Sequence, residues 1–264
     1  MLTNTKALFA SILKALRTDC VCDIGSRDGD QALLFHHLLP GAMVIAFEAN
    51  RLNFQAMQQD PRLQTQRIRI FPCAITNQNG WAEFHITDVD YSGPKEDRGT
   101  SSLLVHDGLR IKQSEKVETR RIDDFILEHQ ATAQSIGLWI DVESAEYWVL
   151  EGMEKILDRV VAVHVETAKT PMRRGQKTLE EVLALMSKFG FRLCGSNIGA
   201  DSIWGDVVFV HQRAIKFLGW RFHVCRAKGL LSRLILVDHW AVLLKRHAPV
   251  LYRILRQAYL RLGF

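Results

Sequence analysis

No stretch of this chain reaches the ~18 uninterrupted apolar residues that a membrane-spanning helix requires. An export signal is not expected either, because Lys6, Lys14 and Arg17 interrupt the first amphipathic segment, about Thr5 to Arg17, and no small-residue cleavage site follows. The expected location is therefore cytoplasmic. Cysteine is scarce and odd in number: Cys20, Cys22, Cys73, Cys194 and Cys225. The lone C-x-C at Cys20 and Cys22 lacks the second Cys or His pair of a zinc site, so reduced buried thiols are expected and a structural metal is not. Repeats and low-complexity tracts are absent. Acid is almost missing from one end: residues 212–264 carry 11 Lys and Arg against 1 Asp, whereas residues 1–211 carry 23 against 28 Asp and Glu. With 264 residues, 47% hydrophobic and 24% charged, the chain suits one sizeable globular domain over 1–211 and a basic extension over 212–264.

A further absence narrows the ligand. Val21 to Gly29, VCDIGSRDG, reads as a buried strand breaking into a glycine loop and then a helix, Asp30 to Leu39. Such a joint binds ligands at the carboxyl edge of an open sheet, with Gly25, Ser26 and Gly29 forming the loop. A dinucleotide fingerprint needs a middle glycine where Arg27 stands, which disfavours a nicotinamide-dependent reductase. Asp23 makes the loop a poor seat for pyrophosphate and a suitable one for a cationic group, such as the amino group of S-adenosylmethionine. The next strand, Ala42 to Phe47, ends in Glu48, at the spacing where nucleoside-binding folds accept hydrogen bonds from ribose hydroxyls.

Beyond the loop the pattern alternates. Helix 51–59, strand 68–76, an extra strand near 81–87 and a polar loop, Tyr91 to Ser102, are followed by strand 136–142, helix 145–157, strand 160–166, helix 177–189 and paired strands 191–196 and 206–211. Strands interleaved with helices imply right-handed crossovers and a mostly parallel sheet covered on both faces, while the last pair makes an antiparallel hairpin. The fold class is α/β, a Rossmann-like sheet of seven strands.

Gly137 to Leu157, GLWIDVESAEYWVLEGMEKIL, resembles the signature of the FkbM-family methyltransferases through Ile140, Asp141, Val142, Glu143, Glu146, Leu150 and Gly152. The runs Gly99 to Ser102, Glu118 to Ile126, Val163 to Glu166 and Asp206 to Val210 extend the resemblance over about residues 17–211. It implies a class I fold, S-adenosylmethionine as cofactor and O-methylation of a hydroxyl on a sugar, glycolipid or secondary metabolite. Two departures stand out. Ser144 replaces a glycine and is either strained or the cap of a helix starting near Ala145, and Ala49–Asn50 replaces a proline turn, loosening it.

The sites follow from these strand ends. Asp23, Gly25, Ser26, Gly29, Glu48 and Asp141 are expected to hold the cofactor and Glu143 to line the acceptor site, while the resemblance implies that Ser101 and Ser102, in a loop, touch cofactor or acceptor. Asp141 and Glu143 are two apart and share a side of an extended strand, as do His164 and Glu166. His164 or Glu166 is the candidate general base, with Asp141 as anchor, and the competing reading of His164 is a core residue. No metal is required, although Asp141, Glu143 or Glu166 could bind a divalent cation. The basic tail, with Leu251, Ile254, Leu255, Ala258 and Leu262 on one helical face, fits either an anionic membrane surface or packing against the acidic domain; nucleic acid fits less well. The alternative to an enzyme is an inactive methyltransferase-like module recruited through that tail.

Overall fold

The computed structural model describes residues 2–65, 67–87, 99–236, 250 and 253. Helix α1 (Thr5–Leu16) starts where the Asn4 side chain accepts a hydrogen bond from the Ala7 N–H and stops at Arg17, which adopts a positive φ of 53°. Its buried stripe of Leu8, Phe9, Ile12 and Leu13 lies against the sheet. Then come β1 (Cys20–Ile24), α2 (Asp30–Leu38), β2 (Met43–Phe47), α3 (Arg51–Gln59), β3 (Ile68–Phe71), β4 (Cys73–Thr76), β5 (Gly80–Thr87), β6 (Ile111–Arg121) and α4 (Ile122–His129). The chain continues through β7 (Ile136–Ile140), α5 (Glu146–Glu151), β8 (Val160–Ala168), α6 (Leu179–Lys188), β9 (Phe191–Ser196), β10 (Trp204–His211), α7 (Gln212–Leu218) and α8 (Trp220–Leu236).

Seven strands form one sheet in the order β3-β2-β1-β7-β8-β10-β9. The first five run parallel, and β10 is antiparallel to both β8 and β9, so the expected sheet and its closing hairpin are present. One hydrophobic cluster fills each face of this sheet, and β1 and β7 are buried along their whole length, as a central parallel strand demands.

Three expectations are corrected. The run 68–76 is two strands divided at Pro72, which has no N–H for a ladder; β3 joins the large sheet and β4 a second, three-stranded sheet of order β4-β6-β5. β6 and α4 lie in a stretch where neither was expected. Helix 145–157 is divided at Gly152 into α5 and a 3-10 turn, Glu154–Ile156; Gly152 packs so closely that an added Cβ would stand 2.3 Å from the Thr76 carbonyl oxygen. Asn50 also tightens its turn, accepting from the Leu52 and Asn53 N–H groups as the cap of α3.

The start of the basic extension belongs to the packed domain. Ala214, Leu218, Phe222 and Cys225 are buried in the same cluster as α1, and a Cβ on Gly229 would meet the Leu8 Cβ at 2.9 Å. Residues 212–236 therefore continue the core. The helical face expected beyond Pro249 lies outside the described residues, where Val250 and Arg253 alone are placed. All five cysteines are free thiols, four of them buried. Among the described residues, no helix is long and apolar enough to cross a membrane.

Candidate functional site

The carboxyl ends of β1, β2 and β7 open into a cleft roofed by Ala74, Ile75 and Phe84 of the small sheet. Gly25 enters it with φ +85°, and a Cβ there would stand 1.8 Å from the Asp141 carbonyl oxygen, so no other residue fits without moving the backbone. Gly29 also has positive φ, +81°, and opens α2. Glu48 lines the cleft and braces the loop: its Oε2 accepts from the Arg27 N–H at 2.6 Å and its Oε1 from the Asn50 N–H at 2.7 Å. Burial nonetheless raises its pKa to about 7.

Asp23 lies beneath the loop, 1% exposed. Its Oδ2 accepts from the Ser26 hydroxyl at 2.5 Å, while its Oδ1 has no hydrogen-bond partner among the described residues. Desolvation, with Asp141 and Glu48 adding repulsion, raises its pKa to about 7. A buried acceptor left open in this way is a seat for a donor or a cation.

Beside β7 and β8 the acids converge. Asp141 is exposed on the cleft, deep enough that desolvation and Asp206 raise its pKa to about 6. Glu166 is pushed further, to about 9, by burial and by Asp141, Glu143, Glu146 and Asp206. Asp141, Glu143 and Glu166 each bring a carboxylate oxygen within 4.8 Å of the others, a spacing that can hold a divalent cation.

The turn that positions these groups is strained. Glu143 and Ser144 have φ of 57° and 87°, and Ser144 takes the glycine conformation rather than capping the helix, whose first flanking residue, Ala145, makes no side-chain cap. Glu146 holds the turn instead: its Oε1 accepts from the Ser144 N–H at 2.8 Å and the Val142 N–H at 3.3 Å. Burial raises the Glu146 pKa to about 8.

Ser101 lines the cleft, whereas Ser102 is fully buried and donates to the Glu143 carbonyl oxygen at 2.6 Å. His164 is not brought to the cleft. Its ring stacks on Trp139 at 3.5 Å with Phe9 at its edge, both ring nitrogens lack partners among the described residues, and burial holds its pKa well below the ordinary value. The core reading of this histidine is the one the packing favours.

Arg173 was not legible in advance. Its side chain, 4% exposed, donates to Glu143 Oε2 at 3.0 Å and to the Thr100 carbonyl oxygen at 2.8 Å, tying the cleft wall to the β7–α5 turn. It sits in a polar segment with no periodicity, so only its tertiary contacts reveal it.

A family model described as the methyltransferase FkbM domain matches residues 23–193. The chain belongs to this family of methyltransferases. It is accordingly an S-adenosylmethionine-dependent methyltransferase. It is similar to the 2-O-methyltransferase NoeI of Sinorhizobium fredii, 31% identical over 176 residues that make up 64% of this chain and 71% of the relative. Among solved structures it overlays loosely on magnesium protoporphyrin IX methyltransferase from Synechocystis PCC 6803 with bound SAM, with a TM-score of 0.42, 9% identity and 79% of each chain covered. Human N-acetylserotonin methyltransferase in complex with SAM gives a TM-score of 0.39 at 14% identity, covering 79% of this chain and 51% of that one. Overlays this loose do not enter the family assignment.

Proposed function

We propose that this FkbM-family methyltransferase transfers a methyl group to a hydroxyl oxygen of a sugar, glycolipid or secondary metabolite. The observation that carries the reading is a cleft lined by the close approach at Gly25, the Glu48 carboxylate and the exposed Asp141, with the open Asp23 carboxylate oxygen buried one residue behind the lining residue Ile24. The name of the 2-O-methyltransferase relative supports the choice of an oxygen acceptor.

The residues fit S-adenosylmethionine part by part. Asp23 Oδ1 would take its ammonium group, the remaining lone pairs of Glu48 would accept from ribose hydroxyls, and Phe47, Ala49 and Ile75 would cover the base. When bound, its sulfonium supplies an already activated methyl electrophile, so the protein needs only to align the acceptor oxygen and receive its proton. Asp141 is suited to that proton: it faces the cleft, and a pKa of about 6 leaves it mostly ionised at neutral pH. Glu166, held protonated chiefly by burial and then by its acidic neighbours, can donate a hydrogen bond to the same acceptor. Arg173 and Ser102 keep Glu143 and the cleft wall in register.

The test is calorimetric titration with S-adenosylmethionine, S-adenosylhomocysteine and NADH, followed by mass spectrometry of hydroxylated glycans and glycolipids incubated with enzyme and cofactor. Binding of the first two and a gain of one methyl group on an acceptor oxygen are expected. Binding without transfer to any hydroxylated class would favour the inactive module, and absence of binding would remove the reading.

A further inference from the structure

Helix α8 has two apolar faces. Phe222, Cys225, Gly229 and Ser232 point inward and are buried toward α1. Trp220, Val224, Ala227 and Leu231, at spacings of four, three and four, form a second stripe on the exposed side, and Phe217 of α7 precedes it. Phe217 and Trp220 are 76% and 75% exposed. A stripe of this kind is not needed for folding, since the inner face already anchors the helix.

Its surroundings define what it fits. Lys216, Arg221, Arg226, Lys228 and Arg233 flank it, and residues 212–236 contain no Asp or Glu. Aromatic and aliphatic side chains ringed by cations match the boundary between acyl chains and anionic headgroups, where Trp prefers to lie. A nucleic-acid partner would be met by cations ahead of a protruding apolar ridge. We infer that the outer face of α7 and α8 docks on an anionic lipid surface, holding the enzyme beside membrane-borne acceptors. The inference does not depend on which hydroxyl is methylated.

The whole 264-residue chain tested by sedimentation with phosphatidylcholine vesicles, with and without about one third phosphatidylglycerol, checks it. Binding to the anionic vesicles alone, weakened by salt, is expected, and the double substitution Phe217→Glu with Trp220→Glu should weaken it at least about tenfold. Heat of S-adenosylmethionine binding and the melting temperature serve as controls for folding. A milder pair, Val224→Ser with Leu231→Ser, should lower vesicle binding in the same direction if the first pair fails to fold. Wild-type protein that ignores anionic vesicles overturns the proposal. So does full vesicle binding by the stripe variants, a dimer that the same substitutions dissociate, or tighter binding to a duplex DNA probe than to vesicles.

Discussion

Binding of S-adenosylmethionine should expel protons from the site, and the amount follows from two carboxyl groups. Asp23 and Glu48 both have pKa values raised to about 7, chiefly by burial, so each is about half protonated at pH 7. An ammonium group against Asp23 Oδ1 and ribose hydroxyls donating to Glu48 favour the ionised forms, returning both toward the ordinary carboxylate range. About half a proton then leaves each group, roughly one per site at pH 7, rising toward about two at pH 5.5 and falling toward zero by pH 8.5. Calorimetry in buffers of different ionisation enthalpy reads this number as the slope of observed heat. S-adenosylhomocysteine keeps the ammonium and ribose and should release nearly as many. Asp23→Asn should halve the release and weaken binding, since its Oδ1 can no longer carry charge. A zero slope at both pH 7 and pH 5.5, or proton uptake, would refute the assignment of these two residues to the cofactor.

Gly25→Ala places a methyl group against the Asp141 carbonyl oxygen at a φ that alone costs on the order of 1–3 kcal/mol, so a lower melting temperature and no cofactor heat are expected. Arg173→Ala removes a buried, hydrogen-bonded cation and should cost about 3–5 kcal/mol, with the acceptor KM rising more than the cofactor Kd; Arg173→Lys keeps the charge and should restore part of both, as melting curves and steady-state kinetics will show. In the wild type saturated with S-adenosylmethionine, kcat/KM for the acceptor should climb as pH rises through about 6, where Asp141 loses its proton. Asp141→Asn should abolish that limb and lower turnover by about 10² or more while cofactor affinity changes little; an unchanged pH profile would assign the proton to another group.

The main sheet was legible because its central strands are short, mostly apolar and bounded by glycine or acid, as at Val21–Gly25 and Leu138–Asp141. The small sheet was not. β6 alternates charged residues along Glu115 to Arg121 because one face meets water, and its partner β4 is separated from β3 only by Pro72. The run Glu118 to Ile126 was visible as a family match, yet its role is structural: buried Asp123 pairs with Arg121 at 2.5 Å and accepts from the Lys155 N–H at 3.1 Å, clasping α4 to the turn after α5. His164 shows the reverse failure. Its i, i+2 relation to Glu166 fits one side of the strand, but the sequence does not say how deep along that side each residue lies, and α1 covers the histidine while Glu166, two residues nearer the carboxyl end, comes within reach of Asp141 and Glu143. Arg173 depends on pairing across loops, with Glu143 and Thr100, which no local pattern encodes.

The acids that make this site share one property. Asp141, Asp23, Glu48, Glu146 and Glu166 have pKa values of about 6, 7, 7, 8 and 9, each raised above the unfolded value mainly by desolvation. Between the ordinary carboxylate range and those values the native state holds protons that the unfolded chain has released, so stability present near pH 4 is lost as pH rises toward 9. The ligand-free fold is therefore weakest at the pH where the carboxylates are charged and useful. A cation seated on Asp23 stabilises the ionised form and recovers part of that loss, so the rise in melting temperature on adding S-adenosylmethionine should be greater at pH 8 than at pH 5.5. An anionic nucleotide offers no such compensation and adds repulsion, which is how a cleft without a pyrophosphate-binding glycine can select a positively charged cofactor by electrostatics alone.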